Sequence, residues 1–153
     1  LKNTLADDNR KIIENRTEFY SKNPEGKIQN EIYMDTSDRL AAGGFLSTAE
    51  DLARFGSAHL NDNFFRPKTR SLIFTSQKTS DGKETGVGFG WRIGKDSEAR
   101  VIYHHGGDSI GGRAFLIVYP DSKVVVSIAS NLSFAKVAEK EAEKIADLFI
   151  KVS

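Results

Sequence analysis

Between Gly111-Gly112 and Pro120 runs Ala114-Phe-Leu-Ile-Val-Tyr119, apolar on both of its alternating faces. Successive strand residues point to opposite sides of a sheet, so such a run needs cover on both and belongs in a sheet interior. Pro120-Asp-Ser122 turns the chain into Val124-Val-Val-Ser-Ile-Ala129, while Ala99 to His105 supplies a strand on the other side. Short connections make these three an antiparallel meander. Gly86-Val-Gly-Phe-Gly-Trp-Arg-Ile93 alternates glycine with larger residues and reads as a fourth strand with close backbone neighbours. The expected strands are 87–93, 99–105, 113–119 and 123–129.

Two amphipathic segments can supply the cover. Phe134, Val137, Ala138, Ala142, Ile145, Leu148, Phe149 and Val152 hold a helical stripe opposite Lys136, Glu139, Lys140, Glu143, Lys144 and Asp147. Ser133 is its natural N-cap. Ser47 with Glu50 three residues on forms a capping box opening a helix to about Leu60, with Ala49, Leu52, Phe55 and His59 on one stripe. A shorter helix is expected from Pro67 to Phe74, with proline in its first turn, and a polar turn at Ser80-Asp-Gly82. Asn23-Pro-Glu-Gly26 has the residue order of a type I turn, predicting a small peripheral hairpin between Thr17–Tyr20 and Lys27–Tyr33. Leu1 to Arg16 is mostly polar and reads as an entry segment with a short helix.

With 153 residues the chain can bury one core. Its 22 Lys+Arg balance 21 Asp+Glu, and no basic run interleaves with aromatics, so nucleic acid and anionic membranes are not its expected partners. The absence of cysteine excludes disulfides, Cys-ligated zinc and a thiol nucleophile. Its longest apolar run, Ala114 to Tyr119, is far short of the ~20 residues that span a bilayer, and no transmembrane segment is expected. The chain begins at Leu1 and holds one methionine, Met34, so it reads as a piece of a longer protein.

Chemistry concentrates in Arg100-Val-Ile-Tyr-His-His-Gly-Gly-Asp-Ser-Ile-Gly-Gly-Arg113, where a strand ends in two histidines and four glycines follow within seven residues. Glycines let a ligand approach bare backbone N–H groups, the composition of an anion or oxyanion site. A long hairpin loop with two strand-ending histidines is an equally good reading of these residues alone. Gly86-x-Gly88-x-Gly90 lacks the two-residue gap, preceding strand and following helix of a dinucleotide site. A metal held by His104, His105 and Asp108 is disfavoured because adjacent strand residues point apart. His59 reads as a helix-surface or packing residue.

Tyr103-His104-His105-Gly106-Gly107, with Gly111 and Arg113-Ala-Phe-Leu-Ile-Val-Tyr-Pro120 after it, resembles the third active-site motif of the serine β-lactamase-like family, which includes class C β-lactamases, D-alanyl-D-alanine carboxypeptidases and related esterases. Leu40-Ala-Ala-Gly-Gly-Phe-Leu-Ser-Thr-Ala-Glu-Asp-Leu-Ala-Arg-Phe55 resembles the family's Ala-Gly-Gly block, and Gly86–Ile93 its Tyr-Gly-Leu-Gly-Trp strand. The resemblance spans roughly Tyr33 to Val152. It implies an α+β fold of the β-lactamase/transpeptidase type, present here in part: an antiparallel sheet with the C-terminal helix on one face and part of the helical region. Residues 1–153 are then a single partial domain, with hairpin, loop and helices over 1–83 and sheet and last helix over 84–153.

By the same resemblance, His104 takes the place of the motif's Lys or His on the cleft wall, and Gly106 keeps its third position bare for substrate. The Gly107 N–H becomes an oxyanion donor; losing such a donor costs about 2.7–4 kcal/mol of transition-state stabilisation. His105 stands where the family has Thr or Ser, a substrate-contacting position, which leaves esters and amides of other shapes beside β-lactams and D-alanine peptides. No cofactor is implied. The family's nucleophile, the serine of Ser-x-x-Lys, and its Tyr-x-Asn motif both precede the Ala-Gly-Gly block. Tyr-x-Asn is absent here, and Ser-x-x-Lys occurs only as Ser80-Asp-Gly-Lys83, in a turn, and Ser133-Phe-Ala-Lys136, after the third motif. The expected nucleophile therefore lies upstream of Leu1, the N-terminal remainder of the parent is the expected partner, and the chain alone is expected to be inert. A small molecule or peptide is the implied substrate, and the resemblance places the parent in the periplasm or otherwise outside the cytoplasm. The competing reading is a non-catalytic binding or regulatory module of the same fold.

Overall fold

A computed structural model describes residues 1–150 apart from Asn9, Asp62 and Ile110, and Ser37 by its backbone. In chain order the elements are β1 Leu5–Ala6, β2 Tyr20–Lys22, β3 Ile28–Asn30, a 3-10 turn Ser37–Arg39, α1 Leu40–Gly43, β4 Phe45–Leu46, α2 Ala49–Leu60 and α3 Pro67–Ile73. There follow β5 Arg92–Lys95, β6 Val101–Asp108, β7 Arg113–Tyr119, β8 Val124–Ser130 and α4 Glu139–Ala146. The last four strands form one antiparallel sheet in the order β5-β6-β7-β8, the meander expected from the short connections.

β7 is covered on both sides, as its composition requires. Phe115, Ile117 and Tyr119 pack with Ile102, Val126 and the helical Ala142 and Ala146 of α4, while Leu116 and Val118 pack with Trp91 and receive Tyr103, Val125, Leu60 and Phe74. Ile117 and Val118, adjacent and on opposite faces, are both fully buried. α2 lies on the second face at Gly56, where an added Cβ would sit 2.7 Å from Cγ1 of Val125.

Several local expectations are corrected. Gly86–Ile93 is not a continuous strand: Gly86 and Gly90 take positive φ, which breaks the pleat, and one bridge, Val87 to Arg92, leads into the regular strand at Arg92. The last helix starts at Glu139 instead of Phe134, because residues 131–138 are held by other bonds: the Ser133 N–H donates to Tyr20 O and Arg113 Nη1 donates to Ala135 O. Ser133 is therefore no cap; the N-cap is Ala138. Leu148 and Phe149 are exposed beyond the helix, and Val152 lies outside the described residues. Thr48, in extended conformation, caps α2 by accepting from the Asp51 N–H at 3.2 Å, whereas the Ser47 hydroxyl meets that of Thr4 at 2.9 Å. The α2 stripe turned inward is Leu52, Gly56 and His59, with Ala49 and Phe55 left exposed.

Among its described residues the entry segment holds no helix, and Leu5–Ala6 is a strand. Buried Asp51 accepts from the N–H groups of Lys2 and Asn3 and the hydroxyl of Thr4, and Leu5 pairs with Leu46. Burial opposes charge on Asp51, but these three donors outweigh it and hold the carboxyl below its usual range. The hairpin at Asn23–Gly26 forms as read, with the Gly26 N–H donating to Asn23 O at 2.9 Å. It is docked rather than peripheral, because the Tyr20 N–H donates to Asn131 O beyond β8. Among the described residues no helix is long and apolar enough to cross a membrane.

Candidate functional site

β6 carries the residues of interest past the end of its neighbour. β5 pairs with it only as far as Arg92 opposite His104, while β7 pairs with it through Arg113 opposite Asp108. From His105 to Asp108 the strand thus has a partner on one side and no β5 residue on the other. Unpaired strand backbone presents N–H and C=O groups to whatever lies along it.

Pleating sends the two histidines to opposite faces. His104 shares the α4 face with Ile102; its side chain is 13% exposed, its ring stacks on Phe115 at 5.5 Å, and Nε2 lies 3.3 Å from Oε2 of Glu139. Its buried Nδ1 has no hydrogen-bond partner among the described residues. Burial pushes the pKa of His104 down, and the nearby charge of Glu139 only partly opposes this. His105 lies on the other face with Tyr103, opposite Leu116, and is exposed.

The glycines divide in the same way. A Cβ at Gly106 would meet Cδ2 of Phe115 at 2.8 Å, so glycine there makes room for packing on the α4 face. A Cβ at Gly107 would meet nothing within 4 Å, and Gly107 is exposed on the His105 side. The four residues singled out in the sequence are contiguous on one strand, yet they form two pairs, His104 with Gly106 beneath α4 and His105 with Gly107 on the uncovered side. Neither Ser80–Lys83 nor Ser133–Lys136 lies on a helix. Among the described residues no group of three His, Cys, Asp or Glu is placed to hold a metal ion.

On the His105 face, Tyr103 stacks on Phe74 with ring centroids 4.1 Å apart, and the two help line an open hollow of about 470 Å³ with Phe65, Pro67 and Arg70. Behind it His59 is buried among Phe55, Phe64, Phe65, Phe74 and Trp91, with Nδ1 2.8 Å from Phe55 O. This is a packing position, and burial pushes its pKa down. Sequence reasoning missed Phe19, whose side chain covers Gly111 and Gly112 where β6 turns into β7. Nothing in the local pattern of Thr17–Tyr20 signals a contact 92 positions away.

The chain matches the family model described as Beta-lactamase over residues 1–149. The serine beta-lactamase-like protein LACTB, mitochondrial, of Bos taurus is 30% identical over 77% of this chain, and its Homo sapiens counterpart 29% identical over the same share. The chain spans 26% of the length of these relatives. Among solved structures, a D-stereospecific amidohydrolase from Streptomyces sp. superposes on 99% of this chain and 45% of its own, with TM-score 0.72 and 19% identity. A structure described as SurE superposes on 85% of this chain and 30% of its own, with TM-score 0.61 and 19% identity. The antiparallel sheet packed by helices is thus a part of a larger fold, and the chain belongs to the beta-lactamase family of serine hydrolases.

Proposed function

We propose that the chain is the C-terminal part of a serine hydrolase that cleaves an amide or ester through an acyl-enzyme, and that it contributes the β6 edge from His105 to Asp108. The observation that carries this reading is the coincidence of two openings on one short segment. β5 stops at His104, and the face bearing His105 and Gly107 is left uncovered there. The motif reading anchored on His104 puts the wall histidine beneath α4. Moved on by one residue it becomes His105-Gly106-Gly107, which keeps the His-x-Gly pattern and puts both its imidazole and its bare third position on the uncovered side.

Each group then has a role matched to its place. The His105 imidazole lines the cleft, where it can donate or accept a hydrogen bond. Gly107 leaves room for substrate to lie along the strand. The N–H after the motif's glycine, which is that of Asp108 in this register and of Gly107 in the other, is the oxyanion donor. The serine nucleophile and its base come from the part of the parent preceding this chain, where acylation and then deacylation by water take place. Small-molecule or peptide amides and esters are the substrate class.

The test is covalent labelling. The 153-residue chain and its full-length parent are each incubated with a fluorescent penicillin and a p-nitrophenyl ester and then weighed intact. A nucleophile and its base act as a unit, so the chain alone should take no adduct while the parent is acylated at a serine outside it. An adduct on Ser80 or Ser133 would overturn the assignment, and a parent that never acylates would favour the non-catalytic binding module.

A further inference from the structure

The β6–β7 turn is held from outside the sheet. Gly111 adopts φ +71, and Ser109 and Gly112 exchange N–H to C=O bonds of 2.8 and 3.1 Å around it. A Cβ added at Gly111 would lie 2.5 Å from Cβ of Phe19 and 3.3 Å from Cβ of Glu31. One added at Gly112 would lie 2.9 Å from Cε1 of Phe19. The turn is therefore in contact with residues on both sides of the β2–β3 hairpin, and glycine is needed at Gly111 both for its backbone conformation and for this close approach.

The hairpin is itself anchored. Glu31 N–H donates to Phe19 O at 2.8 Å, Tyr20 N–H to Asn131 O at 2.9 Å and Ser133 N–H to Tyr20 O at 2.9 Å, while Asn131 Nδ2 donates to Thr17 Oγ1 and Glu18 O. Arg113, the first residue of β7, donates to Ala135 O and pairs with Asp108 at 3.6 Å. The residues flanking Phe19 are thus fixed to the segment after β8, and that segment is fixed to Arg113, which pairs with Asp108 across the turn. Among the described residues, no strand pairs with the other edge of β6 beyond His104, where β5 has ended.

We propose that Phe19 is a positioning residue: through its contact with Gly111 and Gly112, the hairpin braces the open β6 edge at His105–Asp108 and so sets the geometry of the reaction there. The inference rests on that edge being the wall of the hydrolase site. An edge paired on one side only has little else to hold its backbone to the tolerance a transition state requires, and a misplacement of about 1 Å can cost about 100-fold in rate.

The experiment uses the full-length parent carrying Phe19→Ala, Phe19→Leu or, as control, Ile28→Ala on the exposed outer strand of the hairpin. Amide hydrogen exchange and steady-state hydrolysis of a p-nitrophenyl ester are both measured. Phe19→Ala should speed exchange at Gly107, Gly111 and Gly112 about tenfold or more while leaving Ile117 and Val118 unchanged. It should also lower kcat about tenfold or more with KM within about twofold, with partial rescue by Phe19→Leu and no effect of Ile28→Ala. Unchanged exchange at the turn, uniformly faster exchange through the sheet, or unchanged kcat in an active parent would each overturn the brace. If the wild-type parent neither acylates nor turns over, the hydrolase reading fails, and the local exchange result still decides whether Phe19 holds the edge.

Discussion

On one face of the sheet, Ile102 and His104 are covered by the chain's own last helix; on the other, Tyr103 is covered by Phe74 and His105 by nothing described. The α4 face is completed by local means: Ala142 and Ala146 let the helix sit close to Ile117 and Tyr119, and Glu139 reaches the imidazole of His104. The α2–α3 face is complete over Leu116 and Val118 but stops short of the end of β6. Two identical side chains, adjacent in sequence, are thereby given different work. One fills a helix–sheet junction, and the other is left exposed on the uncovered face.

Emptying the closed face should have the largest effect. Ile117→Ala removes a fully buried side chain and should cost about 2–5 kcal/mol in chemical denaturation. A loss below about 1 kcal/mol would show that α4 is not packed as described. The two glycines give a sharper and smaller contrast. Gly106→Ala drives a methyl against Phe115 and should destabilise by about 1–3 kcal/mol, whereas Gly107→Ala should stay within about 0.5 kcal/mol. Equal costs would mean that the two faces are not distinguished at this point of the strand.

The smallest effect is the pH dependence. Burial lowers the pKa of His104 and of His59 in the folded chain, so near neutrality both states are unprotonated and neither histidine costs stability. As pH falls below the unfolded value of about 6.5, the unfolded chain takes up protons first, and stability drops until the lowered folded value is passed. His104→Gln should reduce this acid loss measured by thermal unfolding between pH ~7 and ~5. An unaltered slope in that variant would place His104 in solvent instead of beneath α4.

Much of this organisation is visible in the amino-acid sequence. The unbroken apolar run of β7 requires a two-sided core, and the turn at Pro120–Ser122 and the spacing of α2 and α3 lead to the observed elements. Two of the errors, at the entry segment and at the start of the last helix, share a cause, which is bonding between residues far apart in the chain. Asp51 binds Lys2, Asn3 and Thr4 of the entry segment, and Tyr20 and Arg113 hold Ser133 and Ala135 out of the helix their periodicity favours. Thr48 in place of Ser47 is a matter of backbone conformation, since either hydroxyl can cap. At the candidate site, alternation shows that His104 and His105 face apart, but only the docking of α4 shows which of them is covered. Phe19 leaves no local trace because its partner is a pair of glycines.

The most direct test of the central claim is the rate of acyl-enzyme formation in the full-length parent, followed with a p-nitrophenyl ester in His105→Ala and His104→Gln side by side. If the open face is the functional one, His105→Ala should slow acylation by about 100-fold or more, while His104→Gln, which keeps a hydrogen-bonding side chain beneath the helix, should stay within about threefold of wild type. A larger loss in His104→Gln than in His105→Ala would contradict the assignment of the cleft to the His105 face.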